Sequence, residues 1–278
     1  MSRHASFSSA VATAAAPLGA IAVATGLAAG QIPTREMTYT CRVSVVTTDS
    51  RGKVTPQPTV VARTVVRGDS ARADVLEGMG DFKPGTFFLT YDGGHTLYIV
   101  NPEKRQYSVV PLDSMGDAVA GAVNRGVFKV KLDNVQAGFA RLPTNDSIGG
   151  FRTEQVRISR SFRVTIKVVL VKKHIQMRET RDMWLSPDLP RLANPVGGMY
   201  LAIGDATSRA DAVLTRKMAA IDDSVGTATR LRVVHRLVTG NEDDPTETVT
   251  TIETLDLAPA QTDSVRFDLP AGFKRSDK

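Results

Sequence analysis

A single cysteine, Cys41, is the whole thiol complement of this 278-residue chain, so no disulfide within the chain braces it and its stability must come from packing. Histidine is nearly as scarce: His4, His95, His174 and His235 occur in no paired ligand spacing, which gives no support to a zinc site. The acidic run Glu242-Asp-Asp244 lacks the ordered oxygen spacing of a calcium loop, and no glycine-rich phosphate cradle is present. Beyond residue 30 there is no long apolar run, and residues 1–30 contain no acidic residue. The 35 basic and 29 acidic residues are scattered along the chain, giving a net charge of +6 with no basic block of the kind nucleic-acid binders concentrate. A weak attraction to an anionic membrane surface is the most that this charge implies by itself.

Catalytic chemistry is equally thin. Gly68-Asp-Ser70 has the look of a hydrolase block, but a partner histidine should follow an aspartate by three residues, and Val171 and Arg232 stand at those places before His174 and His235. A polar β-turn is the preferred reading. No catalytic residue, metal or cofactor is therefore assigned, and a non-enzymatic protein is expected.

The amino terminus opens with Arg3 and His4, continues through an Ala/Val/Leu/Ile run and ends in small residues at Gly26-Leu-Ala28 and Ala28-Ala-Gly30. These are the three parts of a secretion signal. A retained anchor is the alternative, but the run is rich in Ala, Ser, Thr and Gly, so cleavage is preferred. Residues 1–30 are read as the signal and residues 31–278 as one β-rich domain in the periplasm or another extracytoplasmic space.

After the signal, strands alternate with turn chemistry. Period-two patterning runs over Met37–Val46 and Thr59–Val66, with Ala71–Leu76 as a short partner beyond the Gly68-Asp69 turn. Cys41 shares a side of its strand with Met37, Tyr39, Val43 and Val45, which favours an inert buried thiol. Phe87–Tyr91 and Thr96–Asn101 flank Asp92-Gly-Gly94, a hairpin signal, and Asn101-Pro102 turns the chain into Gln106–Pro111. A short helix is expected from Ser114, closed at Gly126, and one or two amphipathic helices between Met199 and Ile221, broken near Gly204. Further strands are expected at Phe128–Leu132, Phe151–Ser159, Thr227–Val238, Glu247–Leu257 and Ser264–Leu269. Arg163–Arg178 reads as one unusually long strand that would coil around a packed layer.

The apolar material left unassigned lies in three places: Phe87, Leu89 and Tyr91 with Leu97 and Ile99, then Val164–Leu170, then the Met199–Ile221 helical region. A sheet packed under helices with no cavity explains them economically. A lipid-binding protein requires the layers to stand apart.

Several segments in order carry a family resemblance: Tyr39-x-Cys-x-Val43, the Thr96–Tyr107 hairpin, Ile148-Gly-Gly-Phe-Arg-Thr153, Arg181-Asp-Met-Trp-Leu-Ser186 and Val265–Lys274. In these the chain resembles the lipoprotein-carrier superfamily typified by the LolA and LppX proteins, most closely its exported members of unknown function. The resemblance implies a mainly β (α+β) fold, a strongly curved antiparallel sheet or incomplete β-barrel with helices covering the concave face and enclosing an apolar cavity. It implies a carrier or sensor of lipid or lipidated protein, with Phe87, Leu89, Ile166, Val168 and Leu170 as wall residues. Met115, Val119, Met199, Ile203 and Val213 would be the lid. The alternative use of the same fold is a filled interior that presents an edge or helix to an envelope protein partner.

Overall fold

The computed structural model describes residues 36–80, 82–114, 128–143, 146–168, 171–205, 212–226, 228–241, 243–260 and 267–276. The expected secretion signal, residues 115–126 of the helix expected from Ser114, and part of the strand expected at Ser264–Leu269 lie outside these residues. The strands in chain order are β1 (Met37–Thr48), β2 (Val54–Pro56), β3 (Val60–Arg67), β4 (Ser70–Glu77), β5 (Phe87–Thr90), β6 (Thr96–Asn101), β7 (Gln106–Pro111) and β8 (Phe128–Leu142). There follow β9 (Ser147–Ile148), β10 (Phe151–Arg152), β11 (Glu154–Val168) and β12 (Val171–Ser186). Two helices, α1 (Pro195–Asp205) and α2 (Ala212–Val225), precede β13 (Thr229–Asn241), β14 (Asp244–Pro259) and β15 (Lys274–Arg275).

Thirteen strands join in one sheet in the order β15-β7-β6-β5-β4-β3-β1-β14-β13-β12-β11-β8, with β2 beside β1. All pairs are antiparallel except β15 on β7. The sheet does not close into a barrel, so the expected class, a mainly β fold built on a curved sheet or incomplete barrel, is the one found. Among the described residues no helix is long and apolar enough to cross a membrane.

Alternation decides which side each strand buries. Tyr39, Cys41 and Val43 of β1, Val156, Ile158 and Phe162 of β11, Met183 and Leu185 of β12 and Val233 of β13 fall in one continuous core. Val196, Met199 and Leu201 of α1 and Leu214, Met218, Ile221 and Val225 of α2 belong to that same core, so both helices cover one face of the sheet. Each such side chain, fully buried, contributes about 1.5–3 kcal/mol. The hairpin between β5 and β6 turns through Gly93 and Gly94 at φ 71° and 98°, a region open to glycine at little cost.

Two sequence expectations are corrected here. Arg163–Arg178 is not one strand: β11 ends at Val168, β12 begins at Val171, and the two pair back on each other from Val168↔Val171 to Glu154↔Leu185. The continuous reading missed the reversal because neither Gly, Pro, Asn nor Asp marks it. In addition, the described part of Ser264–Leu269 forms no strand; among the described residues beyond Pro259, strand pairing occurs at Lys274 and Arg275.

Candidate functional site

The start of α1 shapes the opening between helices and sheet. Asn194 caps it: its Oδ1 accepts a hydrogen bond from the Gly197 amide (2.9 Å) and its carbonyl accepts one from Gly198 (2.7 Å). Pro195 takes the first helical position, where a missing N–H costs nothing. Upstream, the Tyr39 hydroxyl donates to the Ala193 carbonyl at 2.7 Å and ties this cap to β1. A Cβ on Gly197 would lie 2.8 Å from Asn194 Nδ2 and 3.0 Å from Ile252 Cγ2, so glycine lets the helix rest directly on β14.

Beside this contact the layers part. A half-open cavity of about 330 Å³ lies between α1, the end of α2, the β5–β6 turn, the start of β13 and the middle of β14. Leu112, Leu201, Ala202, Val233 and Ile252 give it an apolar lining, while His95, Asp113, Arg191, Asp222 and Arg230 give it polar groups. His95 Nδ1 lies 2.8 Å from Asp113 Oδ2. The volume falls at the lower end of the range typical of small-molecule sites, about 300–1,000 Å³. Its lining sets apolar surface beside two cationic and two acidic side chains and a histidine.

A second polar constellation lies on the helix-covered face of the sheet itself. Arg160, Glu179, Arg181 and His235 are all buried there, between the apolar rows of Val156 and Phe162. Arg160 Nε donates to Glu179 Oε2, and Arg181 Nη2 donates to Glu179 Oε1 at 3.2 Å. His235 Nε2 stands 2.9 Å from the same Oε1, close but outside the angular range of a hydrogen bond. Burial alone would push the Glu179 carboxyl up; contact with His235 and the charges of Arg160 and Arg181 outweigh it and hold the group below its usual value. Among the described residues no cluster of three or more His, Cys, Asp or Glu could hold a metal ion.

Of the ten residues singled out in the sequence, the four whose side chains are described, Phe87, Leu89, Ile166 and Met199, do not line the cavity. Phe87 and Leu89 pack with Val100, Tyr98, Tyr107, Leu269 and Phe273 in a separate cluster under the carboxyl-terminal segment. Their neighbour Phe88 is the one that joins the main core. Met199 is buried in that core against the sheet, and Ile166 is half-buried on β11. Val168, Ile203 and Val213 sit in β11, α1 and α2, but their side chains, like Leu170, Met115 and Val119 as a whole, lie outside the described residues. The cavity's own lining was missed because it comes from five separated segments; the paired glycines Gly197-Gly198 after Asn194-Pro195 were its one local signal.

No family model matches the chain, and no curated protein matches it. Among solved structures, the chain aligns with a crystal structure described as an uncharacterized conserved protein from Thermus thermophilus, at 9% identity, covering 85% of this chain and 89% of that one, with a TM-score of 0.29. A similarity of that size carries no argument about fold or function.

Proposed function

We propose that this protein is an extracytoplasmic carrier or sensor that binds an acyl-containing lipid or the lipid of a lipidated protein. The observation that carries the reading is the half-open cavity between the helix pair and the sheet, apolar on Leu112, Leu201, Val233 and Ile252, with Arg191 and Arg230 beside Asp113 and Asp222 among its polar groups. Each methylene taken from water into such a site is worth about 0.8 kcal/mol, so part of one chain gives useful and reversible affinity. Export through the amino-terminal segment would place the protein where such ligands pass between membranes.

The test is native mass spectrometry on protein extracted gently from its source membrane or periplasm, followed by titration with a fluorescent fatty acid. Co-purifying acyl molecules and probe binding that an Ala202→Trp substitution abolishes are expected. Protein that is free of lipid and binds no probe refutes the reading. A second reading, an interaction module without ligand, is favoured by the outer edge of β8, which pairs with no strand among the described residues and is open to an added strand. Cross-links from β8 to a partner in intact cells, with no lipid detected, would favour that module.

A further inference from the structure

The face of β5, β6 and β7 turned away from the helices carries a short stretch of chain, residues 267–276. The floor beneath it, Phe87, Leu89 and Val100, is 4%, 0% and 0% exposed, with Tyr98 and Tyr107 beside it. The covering stretch has no buried residue of its own: Leu269 and Phe273 are half-buried, and so is Phe267, whose ring centroid lies 5.0 Å from Arg67 Cζ. It is held as an added strand is held. The Tyr91 hydroxyl donates to the Phe267 carbonyl at 2.6 Å, and the Lys274 and Ser276 amides donate to the Arg105 and Tyr107 carbonyls at 3.0 and 2.7 Å. Gly272, at φ 78°, turns the chain so that Leu269 and Phe273 both reach the floor. Main-chain bonds at a sheet edge, with side chains set on an apolar floor, are the means by which extended peptides are recognised.

This cover is incomplete in two respects. β15 pairs with β7 at Gln106 and Tyr107, and residues 108–110 of β7 have no strand on that side among the described residues. An unpaired edge is a template for another strand. The aromatic surface also runs past the cover: Tyr91, 41% exposed, meets Tyr98 edge-on at 5.3 Å, and Tyr98 lies 6.3 Å from Tyr107. Arg72 stacks on Phe87, with Cζ 3.9 Å from the ring centroid. Tyrosine and arginine around a desolvated apolar floor are the composition of binding hot spots. A stretch that buries so little opens at low free energy, and a competitor that pairs along more of β7 makes bonds this stretch does not.

We infer that this outer face of β5, β6 and β7 is a docking groove for an extended segment of a second protein, with residues 267–276 as its displaceable plug. The partner segment carries the plug's anchors, an aromatic, a leucine two residues on and an aromatic four residues after that, and continues as a strand along residues 108–110. The pairing of β4 through β7 sets the floor, so the groove persists when the plug leaves. The groove lies on the face away from the cavity and does not depend on what fills the cavity.

The probe is a fluorescent peptide with the sequence of residues 267–278, titrated against the full chain and against its Leu269→Ser, Phe273→Ser double variant, whose own plug is loosened. Apparent affinity falls with the fraction of open groove, so the variant is expected to bind at least about tenfold more tightly than the parent. A peptide with serine at the same two places should bind roughly 30-fold more weakly, the loss of a strong anchor contact. One lengthened by Thr-Val-Thr should bind more tightly than the original, through the free edge of β7. Hydrogen exchange on the parent needs no variant: the Lys274 and Ser276 amides should exchange faster than those of the β5–β6 ladder, at a rate that low urea leaves unchanged. Five results would each overturn the inference: amides that exchange only on global unfolding, equal affinity of parent and variant, no binding to either, binding indifferent to the serines or to the added length, or self-association of the parent that the peptide disperses, which would assign the groove to a second copy.

Discussion

Replacing Glu179 by glutamine tests whether the buried ionic cluster holds the sheet together. Arg160 and Glu179 are direct cross-strand partners on β11 and β12, on the helix-covered face, with side chains 0% and 6% exposed. Arg157 and Asp182 are the same kind of partners on the same two strands but on the other face, 47% and 17% exposed. Removing the charge of Glu179 leaves Arg160 and Arg181 buried beside a neutral amide, at a cost of about 3–5 kcal/mol. Asp182→Asn removes a pair in contact with water and should cost about 0–1 kcal/mol. With a urea m value of about 3 kcal/mol/M, the Glu179→Gln midpoint falls by roughly 1–1.7 M while that of Asp182→Asn hardly moves. The pH dependence has a definite sign. Glu179 is held below its usual value in the folded protein, so its contribution is complete above the unfolded value of about 4.3 and is lost as pH falls through the lower folded value. The stability gap between the parent and Glu179→Gln should therefore narrow below about pH 4. Equal midpoints for the two variants, or a gap that stays constant down to acid unfolding, would refute the reasoning.

The helix cap and the buried thiol yield two further tests. Gly197→Ala drives a methyl group toward Asn194 and Ile252 and should cost about 1–3 kcal/mol in thermal or urea unfolding, whereas Gly198→Ala, whose Cβ would sit 3.6 Å from Leu112 Cδ1, should be neutral or stabilising by up to about 1 kcal/mol. Burial pushes the Cys41 thiol up to about 12, against the opposing contacts with Asn194 and Gly197, so a thiol reagent at pH 8 should label it only as fast as the protein unfolds and should reach one equivalent in urea.

Much of the sheet was legible because short-range chemistry wrote it. Tyr39, Cys41 and Val43 alternate as a half-buried strand must, and Asp92-Gly-Gly94 supplies the positive φ of a tight turn. The β11–β12 reversal was not legible, since its two strands continue one apolar and basic pattern with no turn residue between them. At β5 the difficulty was of another kind. Phe87, Phe88 and Leu89 are all buried, so periodicity separates Phe87 and Leu89 from Phe88 without saying which side the helices cover. That depends on Leu269 and Phe273, far along the chain, which pack over the other side. The buried cluster was hidden for a similar reason: Arg160, Glu179, Arg181 and His235 read as solvated strand residues until the register brings them together.

The missing turn chemistry and the buried charges are physically connected. A two-residue hairpin normally fixes its own register through its turn, and a slip by two residues leaves the inward and outward faces unchanged, so alternation alone does not oppose it. In β11 and β12 such a slip would set Arg160 against Arg181 in one direction and against Met177 in the other, instead of against Glu179. Either leaves a buried guanidinium without its carboxylate, at a cost on the order of 3–5 kcal/mol. The cluster thus specifies the register that Val169 and Leu170 do not. Arg160→Met, Glu179→Leu and Arg181→Met combined should therefore keep a folded protein of similar or greater stability while removing this discrimination. Amide NMR of that variant is expected to show doubled signals for β11 and β12; one sharp set with the parent's cross-strand contacts would show that the register is fixed elsewhere, in the pairing with β8 and β13.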